Sequence, residues 1–90
     1  MTAYLLDPVL DTAAAAPLRE RLLVSLQLRR PVALDGSGVE RLGLACLQVL
    51  ASARAVAEGS GLGFSIADPS PAFSDMVRLS RLDAVLEPVA

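Results

Sequence analysis

Apolar positions recur along this chain with two different periods, and these periods divide it into strands and helices. Short apolar runs are typical of buried strands, whereas apolar residues spaced three or four apart are typical of amphipathic helices. Strands are predicted at residues 3–6, 9–10, 32–34 and 62–66, and helices near 16–30, 44–58 and 70–80. Helical connections between strands favour parallel pairing, with the helices packed on the sheet. We therefore expect a single α/β domain over residues 1–90.

The stretch from Val32 to Ala57 is the centre of the predicted domain. Its first three residues lack polar alternation, so we expect a strand covered on both faces. The helix that follows carries an apolar stripe, formed by Cys46, Val49, Leu50, Ala53 and Ala57. The residues predicted to form the core of the central strands and this helix are Leu34, Leu47, Leu50, Phe64 and Ile66.

Capping residues and prolines predict where the helices begin and end. Asp11 or Thr12 is a suitable N-cap for the first helix. Pro17 lacks an N–H and fits best in a first turn, so we expect the regular helix to begin near Ala16. Gly59 suits the left-handed position after the second helix. In the third helix, Ser70 is the predicted N-cap, with the proline that follows at the first helical position.

Composition excludes several classes of function. The eight basic residues are all arginines dispersed among acids, and the net charge is -2, which argues against a nucleic-acid partner. There is no histidine, and Cys46 is the only cysteine, so an intrachain disulfide, a histidine-dependent triad and the usual mixed zinc site are excluded. No paired carboxylates or activated nucleophile can be assembled. We expect a non-enzymatic cytoplasmic protein without cofactor or metal, with no signal peptide and no membrane insertion.

Several segments together resemble the STAS domain family. They are Leu10-Asp11-Thr12, Leu18-Arg19, Val32-Ala-Leu-Asp35-Gly-Ser37-Gly-Val39, Leu47-Gln48-Val49-Leu50 and Asp68-Pro-Ser-Pro71-Ala-Phe73. The resemblance implies a small, mostly parallel four-stranded sheet with helices packed on it. STAS domains occur in anti-sigma factor antagonists, in sulfate transporters and in a subunit of the Mla lipid-transport ATPase. The resemblance therefore implies a module that works by protein–protein contact.

The chain departs from the phospho-regulated members of this family at one position. Those members carry an Asp followed by a phosphorylatable Ser or Thr at the start of the second helix. The corresponding residues here are Gly43 and Leu44, so the usual phosphoryl switch is absent. Ser37, Ser70 and Ser74 occupy other positions and offer no direct substitute. The segment from Leu42 to Leu50 also resembles a variant subgroup found beside chemotaxis genes.

The resemblance implies that partners bind at the loop after the central strand and at the second helix. The candidate partner-binding residues are Asp35, Ser37, Gly38, Arg41, Gly43, Leu44 and Gln48. Asp35, Ser37 and Gly38 have a simpler interpretation as turn residues, and Cys46 as a buried, unreactive thiol. Leu44 is an exposed contact point or a core residue, and the pattern does not decide which.

Two functions remain open for such a module. The first is binding a kinase-like or chemotaxis regulator in bacterial signal transduction. The alternative is an accessory subunit of an ABC-type phospholipid-transport ATPase complex. Apolar helix faces in a small domain also permit a homodimer.

Overall fold

The computed structural model describes residues 3–89, which form an α/β fold of short parallel strands and three helices. The strands are β1 (Tyr4–Leu5), β2 (Val9–Leu10), β3 (Val32–Asp35), β4 (Arg41–Leu42) and β5 (Phe64–Ala67). The helices are α1 (Thr12–Gln27), α2 (Leu44–Gly59) and α3 (Pro71–Leu79), followed by a 3-10 turn at Asp83–Leu86. The predicted α/β class and the predicted order of helices are confirmed.

The strands form two small sheets, where the resemblance implied one sheet of four strands. Three strands pair in the order β1-β3-β5, and β2 pairs with β4 separately. All of these ladders are parallel. Strand β4 lies in a stretch that the sequence analysis treated as loop. It is held there because the Pro8 carbonyl accepts hydrogen bonds from the N–H groups of Glu40 and Arg41, at 2.7 and 3.0 Å.

The three-stranded sheet is covered on one face only, so the expectation of two covered faces for β3 is wrong. Val32 and Leu34 are buried and are paired with Phe64 and Ile66, which are also buried. The alternate positions on the other face are exposed or half-buried. These positions are Leu5, Ala33, Asp35, Ser65 and Ala67. Small side chains such as alanine do not reveal from sequence which face of a strand is open.

Helix α1 begins earlier than the sequence analysis predicted. Asp11 is the N-cap, and its carboxylate accepts a hydrogen bond from the Ala14 N–H at 3.1 Å. Pro17 consequently lies inside the helix rather than in its first turn. The proline cannot donate to the carbonyl of Ala13. Both residues are exposed, so water can solvate that carbonyl and the cap outweighs the lost hydrogen bond.

The other two helices test the remaining capping predictions. Helix α2 runs through Gly59, and Gly61 adopts the left-handed conformation with φ of 71°, so the assignment of Gly59 to that position is wrong. Ser70 caps α3, as predicted, and accepts from the Phe73 N–H at 3.1 Å. Pro71 is the first helical residue, also as predicted.

The core lies between the covered face of the sheet and the helices. The five predicted core residues, Leu34, Leu47, Leu50, Phe64 and Ile66, are all buried. Helices α1 and α2 pack against each other, α1 contacts β3 and α2 contacts β5. This packing leaves the N-terminal end of α2 beside the β3–β4 connection.

Candidate partner-binding site

A tight turn at the end of β3 contains three of the predicted site residues, of which Asp35 is also the last residue of the strand. The Asp35 carboxylate accepts a hydrogen bond from the Ser37 N–H at 2.8 Å. This hydrogen bond holds the pKa of the Asp35 carboxyl below its ordinary value of 3.8, because it stabilises the charged form. Gly38 lies against β1, where an added Cβ would be 3.7 Å from Leu5 Cδ1. Asp35 therefore has the turn-forming role that its position at the end of the strand favoured.

Ser70 attaches this turn to the start of α3. Its N–H donates to the Gly36 carbonyl at 3.0 Å, and its hydroxyl donates to the Val39 carbonyl at 2.6 Å. The same hydroxyl accepts from the Phe73 N–H, so one side chain caps the helix and fixes the loop. Gly36 is also close to Pro69, whose Cα would be 3.2 Å from an added Cβ. The loop is thus held by neighbouring elements and forms a defined surface.

Exposed apolar side chains lie beside this loop. Val9 is 43% exposed and is paired with Arg41 in the β2–β4 ladder. Leu5 is 56% exposed and lies against Gly38. Leu5 and Val9 are not among the site residues predicted from the sequence, since their strands are distant from residues 35–48 along the chain. Their apolar character was visible, but only the parallel register brings them to the loop.

The N-terminus of α2 carries an exposed leucine and no capping side chain. Gly43 is the N-cap, and its N–H donates to the Leu10 carbonyl at 2.8 Å. Leu44 is the first helical residue and is 51% exposed, which answers the question left open by the sequence. The first turn contains no acidic residue, so nothing there offsets the positive end of the helix dipole. Gln48, one turn further along, is also exposed.

The predicted site residues form two groups. The Asp35–Ser37 hydrogen bond and the Gly38 contact belong to the turn, whereas Gly43, Leu44 and Gln48 belong to α2. Arg41 lies between them on β4 and is exposed. No side-chain hydrogen bond within residues 3–89 joins the turn to the helix group. The backbone between the two groups is held in place by hydrogen bonds to the carbonyls of Pro8 and Leu10. The two groups therefore lie on one surface.

Cys46 lies behind this surface and is buried, as predicted. Its thiol donates to the Asp11 carbonyl at 3.2 Å. Burial raises the pKa of the thiol, and the nearby Asp11 charge raises it further. A raised pKa lowers the thiolate fraction and hence the reactivity. In the described part of the chain, no three potential metal-ligating side chains are clustered.

Comparison with known proteins identifies one family. The sequence model described as "Mlab, STAS domain" matches residues 6–88. Neither the curated proteins nor the solved structures gave a significant match. Between residues 3 and 89, no helix has the length and apolar character needed to span a membrane.

Proposed function

Because the chain belongs to the STAS domain family, we propose that it is a non-enzymatic protein–protein interaction module in bacterial signal transduction. Domains of this family are generally non-catalytic binding modules that act through protein contacts. The partner is a kinase-like or chemotaxis regulator. It binds the turn at Asp35, Ser37 and Gly38, the neighbouring Arg41, and the start of α2.

The observation that carries this proposal is the exposure of Leu44 at the first position of α2. An apolar side chain that is half exposed contributes binding energy when a partner covers it, and full burial of a leucine contributes about 1.5–3 kcal/mol. Free backbone N–H groups surround it at the helix N-terminus. An apolar anchor next to such donors fits a partner that offers an apolar pocket with carbonyl or carboxylate oxygens at its rim.

In this proposal, the contact between Leu44 and the partner is not switched by phosphorylation. Leu44 has no hydroxyl, and phosphorylation therefore cannot add charge at this point of the surface. Ser37 is exposed, but it lies in the turn before β4 and not on the helix. The partner is consequently released by competition or by changes in its own conformation.

Leu44→Glu tests the proposed surface. A carboxylate at this position is costly to desolvate inside an apolar contact, so we expect capture of the partner to fall at least tenfold. Folding stability should hardly change, because acidic residues are favourable in a first helical turn. The partner is first identified by affinity capture from the source cells, and its binding to the purified variant is then measured together with the melting temperature.

Val24→Glu is the matched control for this experiment. Val24 is 54% exposed on α1 and lies outside the proposed surface. Its replacement should leave capture unchanged. Equal capture by Leu44→Glu and the wild-type protein would place the partner elsewhere, and a fall of several degrees in melting temperature for Leu44→Glu would assign the leucine a structural role.

A second function is favoured by the type of family model that matches, which is described as Mlab. In this alternative the domain is an accessory subunit of an ABC-type phospholipid-transport ATPase complex, and the same surface docks on the ATPase subunit. The neighbouring genes distinguish the two functions. Permease and ATPase genes, with co-purification of the ATPase subunit, would support transport; chemotaxis or sigma-regulator genes would support signalling.

A further inference from the structure

An open groove runs between α1 and α2, and all of its lining residues belong to these two helices. It encloses about 450 Å³. Most of its lining side chains are apolar, and they include Leu22, Leu26, Val49, Ala53 and Val56. Leu22 and Ala53 are buried and form the floor. Val56 is 51% exposed on the wall, so the groove presents apolar surface to solvent.

The groove has a cationic end and an apolar end. Helix α1 lies in the connection between the parallel strands β1 and β3, and α2 lies in the connection between the parallel strands β3 and β5, so the two helices run in the same direction. Ala15, Arg19 and Gln48 accordingly lie towards the end where the helices begin. Leu26 and Val56 lie at the other end. Arg19 is the one charged residue among the lining side chains within residues 3–89.

We propose that this groove docks an amphipathic helix of a partner protein, and that an acidic residue of that helix pairs with Arg19. Between Ala15 and Leu26 the groove extends for about 16 Å, the length of three helical turns. A helix of that length presents apolar side chains at positions i, i+3 or i+4, and i+7 to such a groove. Small side chains at Ala15, Ala45 and Ser52 let the incoming backbone approach closely, while Ala53 leaves room for one large anchor.

Charge determines which occupant fits. The described ion pairs are Arg54–Glu58 and Arg78–Asp75, so Arg19 forms none within residues 3–89. A covering surface without an acid would bury the Arg19 guanidinium unpaired, which is costly. The groove itself contains no acidic side chain. A second copy docked groove to groove would therefore bring Arg19 against apolar side chains, which disfavours a homodimer through this face.

This docking surface goes beyond the proposed function, which concerns the loop after β3 and the start of α2. Of the residues assigned to that site, only Gln48 also lines the groove. Leu44 is absent from the lining, so substitutions at Leu44 and in the groove separate the two surfaces.

The test is a selection from a displayed library of random-sequence helical peptides, carried out in parallel on the wild-type protein and on Arg19→Glu. Wild-type protein should enrich peptides with apolar residues at i, i+3 or i+4, and i+7 and an acid at one fixed position. Arg19→Glu should enrich a basic residue at that position. The best wild-type peptide should bind Arg19→Glu at least tenfold more weakly, with amide shifts in the NMR spectrum along α1 and α2.

Two further variants make the result decisive. Val56→Asp places a charge on the exposed apolar wall and should abolish peptide binding without lowering the melting temperature. Leu44→Glu should retain peptide binding even where it loses the partner of the proposed function. No enrichment on the wild-type protein, binding that is insensitive to Arg19 and Val56, or a wild-type dimer in sedimentation equilibrium that Val56→Asp dissociates would each overturn the proposal.

Discussion

At the scale of single residues, Asp35 links the end of a central strand to the shape of the candidate surface. Its carboxylate accepts the Ser37 N–H, and this bond fixes the turn that carries Gly38 against Leu5. The pKa of Asp35 is lowered first by the Ser37 backbone hydrogen bond and then by the Ser37 hydroxyl. The carboxylate therefore has a structural effect that depends on its charge.

This gives a prediction for acid titration. The folded-state pKa of Asp35 lies below its unfolded value, so its stabilising contribution is present above pH 3.8 and is lost as pH falls through the folded-state pKa. The Ser37 amide proton, followed by NMR, should titrate with a midpoint below 3.8. Asp35→Asn should remove that transition. A midpoint at or above 3.8 in the wild-type protein would show that the hydrogen bond from Ser37 does not lower the pKa of Asp35.

At the scale of elements, α2 has one face buried in the core and an opposite face exposed to solvent. One face carries Cys46, Leu47 and Leu50, each with no exposed surface. The opposite face includes Leu44 and Gln48, which are exposed. Arg54 and Glu58 are the charged residues of α2, and they pair with each other at 3.0 Å. Much of the exposed face is therefore uncharged, a composition suited to contact with other proteins.

Leu50→Ala tests the buried face of α2. Truncating a fully buried leucine removes its packing and leaves a cavity, so the free energy of unfolding should fall by about 2–5 kcal/mol. Leu44→Ala, on the exposed face of the same helix, should change it by under about 0.5 kcal/mol. Chemical denaturation of both variants measures the difference. Equal denaturation midpoints for the two variants would show that the faces have been assigned wrongly.

At the scale of the whole molecule, the buried side chains form one cluster that includes residues of both sheets and all three helices. Leu10 of β2, Phe64 of β5 and Phe73 of α3 all belong to it. Cys46 lies inside this cluster with no exposed surface. Because so many elements bury it together, we expect the thiol to be reached by reagents only when the domain unfolds.

The rate of Cys46 modification by a thiol-specific disulfide reagent tests whether the thiol becomes accessible only when the whole domain unfolds. The wild-type thiol should react at a rate that follows the population of unfolded protein across a denaturant series. Leu44→Cys in a Cys46→Ala background should react rapidly without denaturant, since position 44 is exposed. Fast reaction of Cys46 in native buffer would reveal local opening at the start of α2.

The sequence alone determined the α/β class, the core and most element positions. Periodicity located Leu34, Leu47, Leu50, Phe64 and Ile66 in the core because their burial follows from spacing within one strand or helix. The Ser70–Pro71 cap was also predictable from the sequence, because the hydrogen bond from the Phe73 N–H to the Ser70 hydroxyl spans only three residues. The motifs also indicated the family, which the match to residues 6–88 confirms.

The tertiary structure decided what depends on contacts between distant segments. The separate β2–β4 ladder arises from the Pro8 carbonyl meeting Glu40 and Arg41, and no local pattern encodes that contact. No local pattern encodes the contact between Leu5 and Gly38 either. The hydrogen bond that the Ser70 hydroxyl donates to the Val39 carbonyl is likewise a contact between distant segments. Leu44 at a helix end has too few neighbours in sequence for periodicity to assign its exposure. Its surroundings are fixed by the elements packed around α2, and their arrangement leaves the leucine exposed to solvent.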